Sequence, residues 1–504
     1  MISPGDLKSF VREGANLLAH EDGLSEFELY CSSAEQLVTR LNFTSDIPSR
    51  GVEECKSLGA DGFALRVVMR RNPHETGAAF EAGDLSLEAL RAALSRSRAT
   101  AAVDSHFPGL PKRPRKISPR AIAATGLMKA GSGPMIAAAW TIIGGAMRAV
   151  GDNASVAADH PGLLIGGDLM ITRDRFALAS SAFGDLRSDE AASFSASITA
   201  MIESLQAKGT ATAIGATLLE LRRFVPGLGR EAVTRALSLR EGVRPGAGKY
   251  SVVLGPQPLA EILSYIVVPS LTTGAFHAAS TTYYGRFGGR IMDERLSLID
   301  EPQGGGAIKR RVTCEGLPAR RSELIRDGRL VGLLSNYYDA HRLSGDENRS
   351  AKLGPSAPAT PSFAAANGYR IGEGGARRFD SPPSALGSNL FMRTRSGVSE
   401  RELIRQVGDG IYIGRVWYTY PINGQRAGDF TCTISGDSYI IKHGKLAAPL
   451  APNALRINAK IEQIFSAPIA IGRHLSPAVI WGSPEAYYVP AIAVDAIDLS
   501  AVGA

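Results

Sequence analysis

The chain has 504 residues, of which 44% are hydrophobic and 21% are charged, and its formal net charge is +7. This composition is close to that of ordinary globular proteins, and the length predicts about two to four domains. A mild basic excess spread over such a length does not argue for a nucleic-acid partner.

The first half reads as a mixture of helices and strands. Helical spacing of apolar residues predicts helices at 7–20, 121–148 and 230–240, and a further helix that follows Asp84 as its N-cap. Alternating or continuous apolar segments predict strands at 26–31, 36–43, 59–70, 74–81, 163–171, 175–183 and 191–202. We expect 26–31 and 36–43 to form a hairpin. The basic, proline-rich run at 111–116 (PKRPRK) is typical of a solvated linker.

The second half is richer in strands and glycine turns. A strand is predicted at 249–254, followed by a helix at 258–267 and by strands at 290–298, 306–314, 322–326, 329–334, 429–434 and 438–442. Asp327-Gly328 is a strong hairpin signal, and 429–434 with 438–442 is expected to form another hairpin. The fold class is therefore α+β in two parts, with an N-terminal α+β domain at 1–235 and a strand-rich C-terminal domain at 236–504.

Targeting signals and cysteine usage favour a soluble, cytoplasmic protein. Residues 1–8 (MISPGDLK) have no apolar signal region. The apolar stretch at 134–149 is shorter than the roughly 18 residues of a membrane span and rich in glycine and alanine, so it predicts a packed helix. The cysteines are expected to be reduced and mostly buried thiols, at positions Cys31, Cys55, Cys314 and Cys432.

Common catalytic motifs are not found. The eight histidines are so dispersed that no two lie within five residues of each other, so the helical H-E-x-x-H zinc motif is missing. The sequence also has no G-x-S-x-G nucleophile elbow. The glycine-rich segment 285–289 (GRFGG) lacks the lysine and hydroxyl residue of a phosphate-binding loop and is interpreted as a tight turn.

Aromatic and basic residues recur near each other in the second half. Tyrosine pairs stand at Tyr283-Tyr284, 337–338 and 487–488, and a fourth cluster spans 417–420 (WYTY). Aromatics on strands are more often core than site. Several arginines lie near them in sequence, including Arg415, so these residues could also line a groove that holds an extended peptide by strand addition.

Several short segments, in order along nearly the whole chain, resemble the TldD/PmbA family. They are 62–67 (GFALRV), 76–79 (TGAA), 84–90 (DLSLEAL), 109–111 (GLP), 248–254 (GKYSVVL), 315–321 (EGLPARR), 324–330 (LIRDGRL), 428–430 (GDF) and 443–445 (HGK). Each segment is weak alone, but the set is specific because the order is kept.

The resemblance implies a role in a peptidase complex. Members of this family form TldD/TldE heterodimers that act as metallopeptidases on unfolded peptides, including antibiotic precursors. The TldD subunit supplies an H-E-x-x-x-H zinc helix and a later cysteine. In this chain the corresponding helix, 257–268 (QPLAEILSYIVV), has no histidine, and Trp481-Gly482 matches the later Cys-Gly. The chain thus resembles the TldE/PmbA branch, which lacks the zinc motif.

The resemblance therefore implies no catalytic residue, metal ligand or cofactor in this chain, with zinc held by a TldD-like partner. Candidate residues for binding the peptide or the partner are Tyr283, Tyr284, Arg320, Arg321 and Asp429. A homodimer is an alternative state when the partner is not present. Two other functions stay open: a zinc-independent enzyme of natural-product or amide chemistry, and a non-catalytic binding or scaffold protein.

Overall fold

The computed structural model describes residues 1–47, 50–112, 125–153, 162–359 and 362–502 and confirms a mixed α+β fold. Helices lie at Pro4–Ala19 (α1), Leu87–Ala99 (α2), Thr125–Met128 (α3), Ser132–Gly151 (α4), Leu218–Phe224 (α5), Leu228–Ser238 (α6), Pro256–Ile262 (α7), Thr273–His277 (α8), Tyr337–Ser344 (α9), Arg349–Leu353 (α10), Glu400–Val407 (α11) and Ile461–Phe465 (α12).

The strands divide between the two halves of the chain. The first half contains Leu24–Thr44 (β1), Lys56–Met69 (β2), Glu75–Ala82 (β3), Ala102–Val103 (β4), Leu163–Ser180 (β5), Phe183–Ile202 (β6) and Ala207–Gly215 (β7). The second half contains Gly248–Leu254 (β8), Leu296–Asp300 (β9), Ser322–Arg326 (β10), Arg329–Leu330 (β11), Gly368–Tyr369 (β12), Ser384–Ala385 (β13), Asn389–Thr394 (β14), Gly410–Ile413 (β15), Arg415–Pro421 (β16), Asp429–Gly436 (β17), Tyr439–Lys442 (β18), Lys445–Pro449 (β19), Leu455–Lys460 (β20), Ala470–Ile471 (β21), Ser476–Ala478 (β22), Ala486–Val489 (β23) and Ile492–Ala501 (β24).

The first half is one antiparallel sheet covered by helices. Its strand order is β4-β3-β2-β1-β5-β6-β7. Helices α1 and α2 bury their apolar faces against β1 to β3, and α4 and α6 bury theirs against β5 to β7. Helix α4 is long and apolar enough to cross a membrane. It nevertheless buries Met135, Ile142 and Ala146 in this core, which supports the prediction of a packed helix.

Two predictions in the first half are wrong because its strands are unusually long. The expected hairpin of 26–31 and 36–43 is the single strand β1, and the predicted strands 163–171 and 175–183 are the single strand β5. Polar residues lie between the predicted strands and indicate breaks, but charged ones among them are paired inside the sheet. Glu35 on β1, for example, accepts a 2.7 Å hydrogen bond from Arg173 on β5.

Local signals near α2 are also refined by the structure. The N-cap of α2 is Ser86, whose hydroxyl accepts from the Ala89 amide at 3.1 Å, and not Asp84. Asp84 instead accepts a hydrogen bond from the Ser86 amide at 2.9 Å, which fixes the backbone of the N-cap residue. Most of the basic run at 111–116 lies outside the described residues.

The second half contains two larger sheets around one core. One has the strand order β11-β10-β9-β14-β23-β22, and the other has the order β16-β17-β20-β24-β8-β15-β18-β19, with β21 beside β24. The predicted strand at 322–326 and the Asp327-Gly328 turn are confirmed, with φ of 46° and 75° at the turn. The predicted strand at 306–314 is wrong, because this segment is irregular.

The predicted hairpin of 429–434 and 438–442 is also wrong. Strand β17 pairs with β16 and β20, whereas β18 pairs with β15 and β19. The chain changes direction at Asp437, whose φ is 50°, and this left-handed residue sends β18 to the other side of the sheet. The turn at His443-Gly444 is confirmed and joins β18 to β19.

The boundary between the halves lies slightly beyond residue 235. Helix α6 continues to Ser238 and buries Ala232, Val233 and Ala236 against the first sheet. The second half then starts with β8 at Gly248. The connection therefore occupies residues 239–247.

Buried ion pairs join the two halves. Arg377 of the second half is fully buried and donates to Asp174 at 2.7 Å and to Asp189 at 2.8 Å, both in the first sheet. Arg311 also donates to Asp189, at 2.9 Å. Because each buried charge has an opposite charge in contact, the arrangement avoids the large cost of an isolated buried ion.

We predict that Arg377→Met destabilises the protein far more than Arg40→Met. The first change leaves Asp174 without its arginine and Asp189 with Arg311 alone, and loss of one partner of a buried ion pair typically costs about 3–5 kcal/mol. Arg40 also contacts an aspartate, Asp168 at 3.0 Å, but its side chain is 58% exposed, so about 0–1 kcal/mol is expected. Urea unfolding followed by circular dichroism measures both changes. Equal midpoint shifts would contradict the assigned role of Arg377.

Candidate functional site

Helix α7 occupies the centre of the second half. It follows β8, starts with Pro256 at its first position after the extended residue Gly255, and continues as a π-helical turn at Leu263–Val267. Leu259, Ile262, Leu263 and Ile266 are buried in the main core. The sequence prediction of a helix at 258–267 is thus confirmed. The helix lies at the centre of the second half because its apolar face is buried in the core.

The polar face of α7 is bonded to the edge strand β16. The side-chain amide of Gln257 accepts from the Val416 amide at 2.9 Å and donates to the Val416 carbonyl at 3.1 Å. It therefore satisfies both outward-facing groups of this residue, as a neighbouring strand would. Strand addition at this point of β16 is consequently blocked by the helix.

Glu261 and Tyr265 extend the same bonded face at intervals of four residues. Glu261 accepts from Gln257 at 2.8 Å and from the Thr419 hydroxyl at 2.6 Å. The Tyr265 hydroxyl donates to the Trp481 carbonyl at 2.7 Å. Residues spaced by four share one side of a helix, so Gln257, Glu261 and Tyr265 form one strut, which we call the α7 strut.

The electrostatics of the α7 strut suit a structural carboxylate. Burial raises the pKa of Glu261, while the hydrogen bond from Thr419, the charge of Arg415 and the hydrogen bond from Gln257 oppose the rise. Burial, followed by the nearby Glu261 charge, raises the pKa of Tyr265. Each polar group is thus occupied by a partner within the chain.

The α7 strut does not fit a zinc ion. Glu261 is the only acidic residue of 256–268, and an H-E-x-x-x-H pattern placed on it would require histidines at Ala260 and Tyr265. Ala260 offers no ligand atom, and the Tyr265 hydroxyl is bonded to the Trp481 carbonyl. Trp481 itself, which matches the later cysteine of TldD, cannot replace a thiolate ligand because its indole N–H only donates. Among the described residues no cluster of three His, Cys, Asp or Glu side chains could hold a metal.

Exposed aromatic residues surround the α7 strut. They are Trp417, Tyr418 and Tyr420 of β16 and Trp481, whose side chain is 90% exposed. We call these four residues the aromatic rim. The pairing of β16 with β17 is interrupted between Trp417 and Tyr420, and Tyr418 has a φ of 52°, so the bulge turns these side chains outwards. Large exposed aromatics that cluster in this way commonly mark interaction surfaces.

The binding residues predicted from the sequence lie in two separate regions of the second half, and Tyr284 and Asp429 belong to the first. Tyr284 is half-buried, with the Arg426 guanidinium 4.8 Å from its ring centroid. Asp429 begins β17 and accepts a hydrogen bond from Asn423. The two segments adjoin, because a side chain at Gly428 would meet the Thr282 hydroxyl. Tyr283 is a core residue with 2% exposure, so it offers no surface to a ligand.

Arg320 and Arg321 are exposed and precede β10 on the six-stranded sheet. The Nε atom of Arg321 lies 3.9 Å from a carboxylate oxygen of Glu301, a loose surface pair. In the described part of the chain, no hydrogen bond or ion pair connects either arginine to Tyr284 or Asp429. The structure therefore does not join these arginines and that pair into one site.

Sequence reasoning missed the α7 strut because it looked only for histidines on this helix. The available signal is the spacing of Gln257, Glu261 and Tyr265, which places polar groups at four-residue intervals in a mostly apolar helix. Their partners on β16 and at Trp481 are distant in sequence, so only the fold reveals them.

We predict that Gln257→Leu loosens β16. The change leaves the amide and carbonyl of Val416 without their partner, which costs about 1–3 kcal/mol where such groups are buried. Hydrogen exchange should show faster exchange of the Val416 amide. The control is Gln406→Leu, because Gln406 makes an exposed bond to Glu402 within a helix. If Val416 exchanges at the wild-type rate, the strut does not hold the strand.

The comparisons with known proteins agree with this architecture. Residues 247–501 match the family described as the PmbA/TldA metallopeptidase C-terminal domain. A protein named Metalloprotease from Methanothermobacter thermautotrophicus is 23% identical over 244 residues, 48% of this chain and 47% of that protein. The chain spans about half the length of the curated relatives it matches.

Solved structures share the fold over nearly the full length. The crystal structure of TldE from Thermococcus kodakarensis has a TM-score of 0.76 at 14% identity and covers 98% of this chain and 100% of that chain. A crystal structure from Bacteroides thetaiotaomicron has a TM-score of 0.72 at 18% identity and covers both chains completely. Since the matched family covers just over half of the sequence, this chain belongs to the PmbA/TldD family.

Proposed function

We propose that this chain is the non-metal, TldE-like subunit of a TldD/TldE-type metallopeptidase complex that processes or degrades unfolded peptides. The observation that carries the proposal is the α7 strut. The helix face that would hold zinc in a TldD-like subunit is closed here by bonds from Gln257, Glu261 and Tyr265. The likeness to a TldE structure supports the same assignment.

In this proposal the two subunits have different tasks. The TldD-like partner holds the zinc and performs hydrolysis, and this chain completes the chamber in which the peptide lies. The bonded α7 strut makes a fixed wall, since it holds both β16 and the Trp481 segment. The complex would act in the cytoplasm, and maturation of a peptide natural product is one use that fits.

We assign the surfaces of the proposed complex by exposure. The aromatic rim would face the partner or the peptide, because it stands around the α7 strut. Tyr284 and Asp429 would lie beside it as contacts of the peptide or partner, and the exposed pair Arg320 and Arg321 would bind acidic groups of the partner. An obligate pair of this kind typically buries upwards of ~2,000 Å².

Co-expression with an H-E-x-x-x-H relative from the same genome tests the proposal. We expect the two chains to co-purify and to show a heterodimer mass by light scattering. Peptide turnover should require both chains, because only the partner has the motif for zinc. A chain that stays monomeric or homodimeric beside every such relative would contradict the proposal.

A matched pair of tryptophan variants locates the contact surface. Trp481→Ala removes the most exposed aromatic of the rim and should weaken the complex or its turnover at least about tenfold, as exposed tryptophans at interfaces often do. Trp140→Ala removes a half-exposed tryptophan on α4 of the first half and should have little effect. Equal behaviour of the two variants would exclude the rim from the interface.

A further inference from the structure

One lysine at the aromatic rim has no carboxylate partner. Lys208 lies on β7 of the first half, is partly buried, and holds its ammonium 5.7 Å from the ring centroid of Trp417. In the portion of the chain that the structure describes, Lys208 forms no ion pair with an Asp or Glu. Lysine is seldom buried without such a partner.

A second cation, which interacts electrostatically with Lys208, is only loosely paired. Arg415, at the start of β16, has its Nε atom 3.6 Å from Asp437. Arg235 lies at the same distance from the same carboxylate oxygen, so one aspartate serves two arginines at more than hydrogen-bond length. Arg235 is further satisfied by Glu231 at 2.5 Å and by the Thr210 carbonyl at 2.7 Å.

The surroundings of Lys208 disfavour its positive charge. Burial lowers the pKa of Lys208, the neighbouring charge of Arg415 lowers it further, and Asp437 opposes both. Burial likewise lowers the pKa of Arg415, against the charges of Asp437 and of Glu261 on α7. Asp437 thus interacts with three cations, Lys208, Arg235 and Arg415, and its charge offsets that of Lys208 only in part.

We propose that Lys208 and Arg415, with Trp417 as an apolar wall, form a binding site for the carboxylate of a peptide. A carboxylate beside Lys208 would gain a charge-assisted hydrogen bond and offset the repulsion between the two cations. Trp417 is 40% exposed, so its free surface can pack against the neighbouring side chain of the same peptide.

The identity of the ligand as a peptide rests on the proposed function, whereas the carboxylate chemistry rests on the cluster itself. The source of the carboxylate is either the C-terminus of the peptide or an Asp or Glu side chain. Because the site belongs to this chain alone, binding can be measured without the partner subunit. A failure of complex formation and a failure of this site are therefore separate results.

Calorimetric titration of the full chain with three peptides tests the site. The peptides are N-acetyl-tetraalanine with a free C-terminus, the same peptide with a C-terminal amide, and an amidated version with one internal glutamate. We expect the free carboxylate, or the internal one, to improve affinity at least about tenfold over the plain amide. Which of the two carboxylates binds identifies the source.

Variants of Lys208 provide the decisive comparison. Lys208→Met keeps the apolar stem over Trp417 but removes the charge, and it should abolish the preference for a carboxylate. Lys208→Arg keeps the charge and should retain the preference, which also controls for misfolding. Lys442→Met changes an exposed lysine on β18 and should behave as wild type. Equal affinity of the wild type for the carboxylate and amide peptides, or no binding of either, would overturn the proposal.

Discussion

Arg377 is fully buried between two aspartates of the other half, and the relation between the halves depends on this contact. Its partners Asp174 and Asp189 lie on β5 and β6, so the second half sits on the middle of the first sheet. A second group of buried charges also joins the halves. Glu28 of β1 contacts Arg66 at 2.9 Å and Arg370 of the second half at 3.3 Å. Each of these charges would cost several kcal/mol to bury without its partner. The pairs therefore favour the docking position that brings the partners together and disfavour others.

This docking explains the unusual character of the first sheet. Along β1, Leu29 and Cys31 face the helices, whereas Tyr30 faces the second half and packs against Phe176 and Cys314. The middle of the strand is therefore buried on both faces, with charges as well as apolar groups inside. The same docking brings Lys208 of the first half against Trp417 of the second, so the aromatic rim is built by both halves.

Much of the fold could be predicted from the sequence where patterns are local. Helices α1, α6 and α7, strands β2, β8 and β10 and the Asp327-Gly328 turn follow from periodicity and turn chemistry. The failure to predict β1 and β5 as single strands has a cause that is not local: Glu35 inside β1 is stabilised by Arg173, which is 138 residues away. The candidate site shows the same limit. The histidine-free helix was evident from its residues, but the bonds from Gln257 to Val416 connect positions 159 residues apart. The arginines near Tyr283 in sequence predict a binding role, but Tyr283 is a core residue, since sequence adjacency does not determine burial.

The account depends on zinc belonging to the partner and not to this chain. The α7 strut uses the face that a zinc helix would present, and its side chains are satisfied by β16 and Trp481. The most direct measurement is zinc content by elemental analysis, for the purified chain and for its complex with an H-E-x-x-x-H relative. We expect far less than one zinc per isolated chain and about one per heterodimer, because the ligand set of a stable site needs three or four N, S or O donors. About one tightly held zinc in the isolated chain would contradict the account.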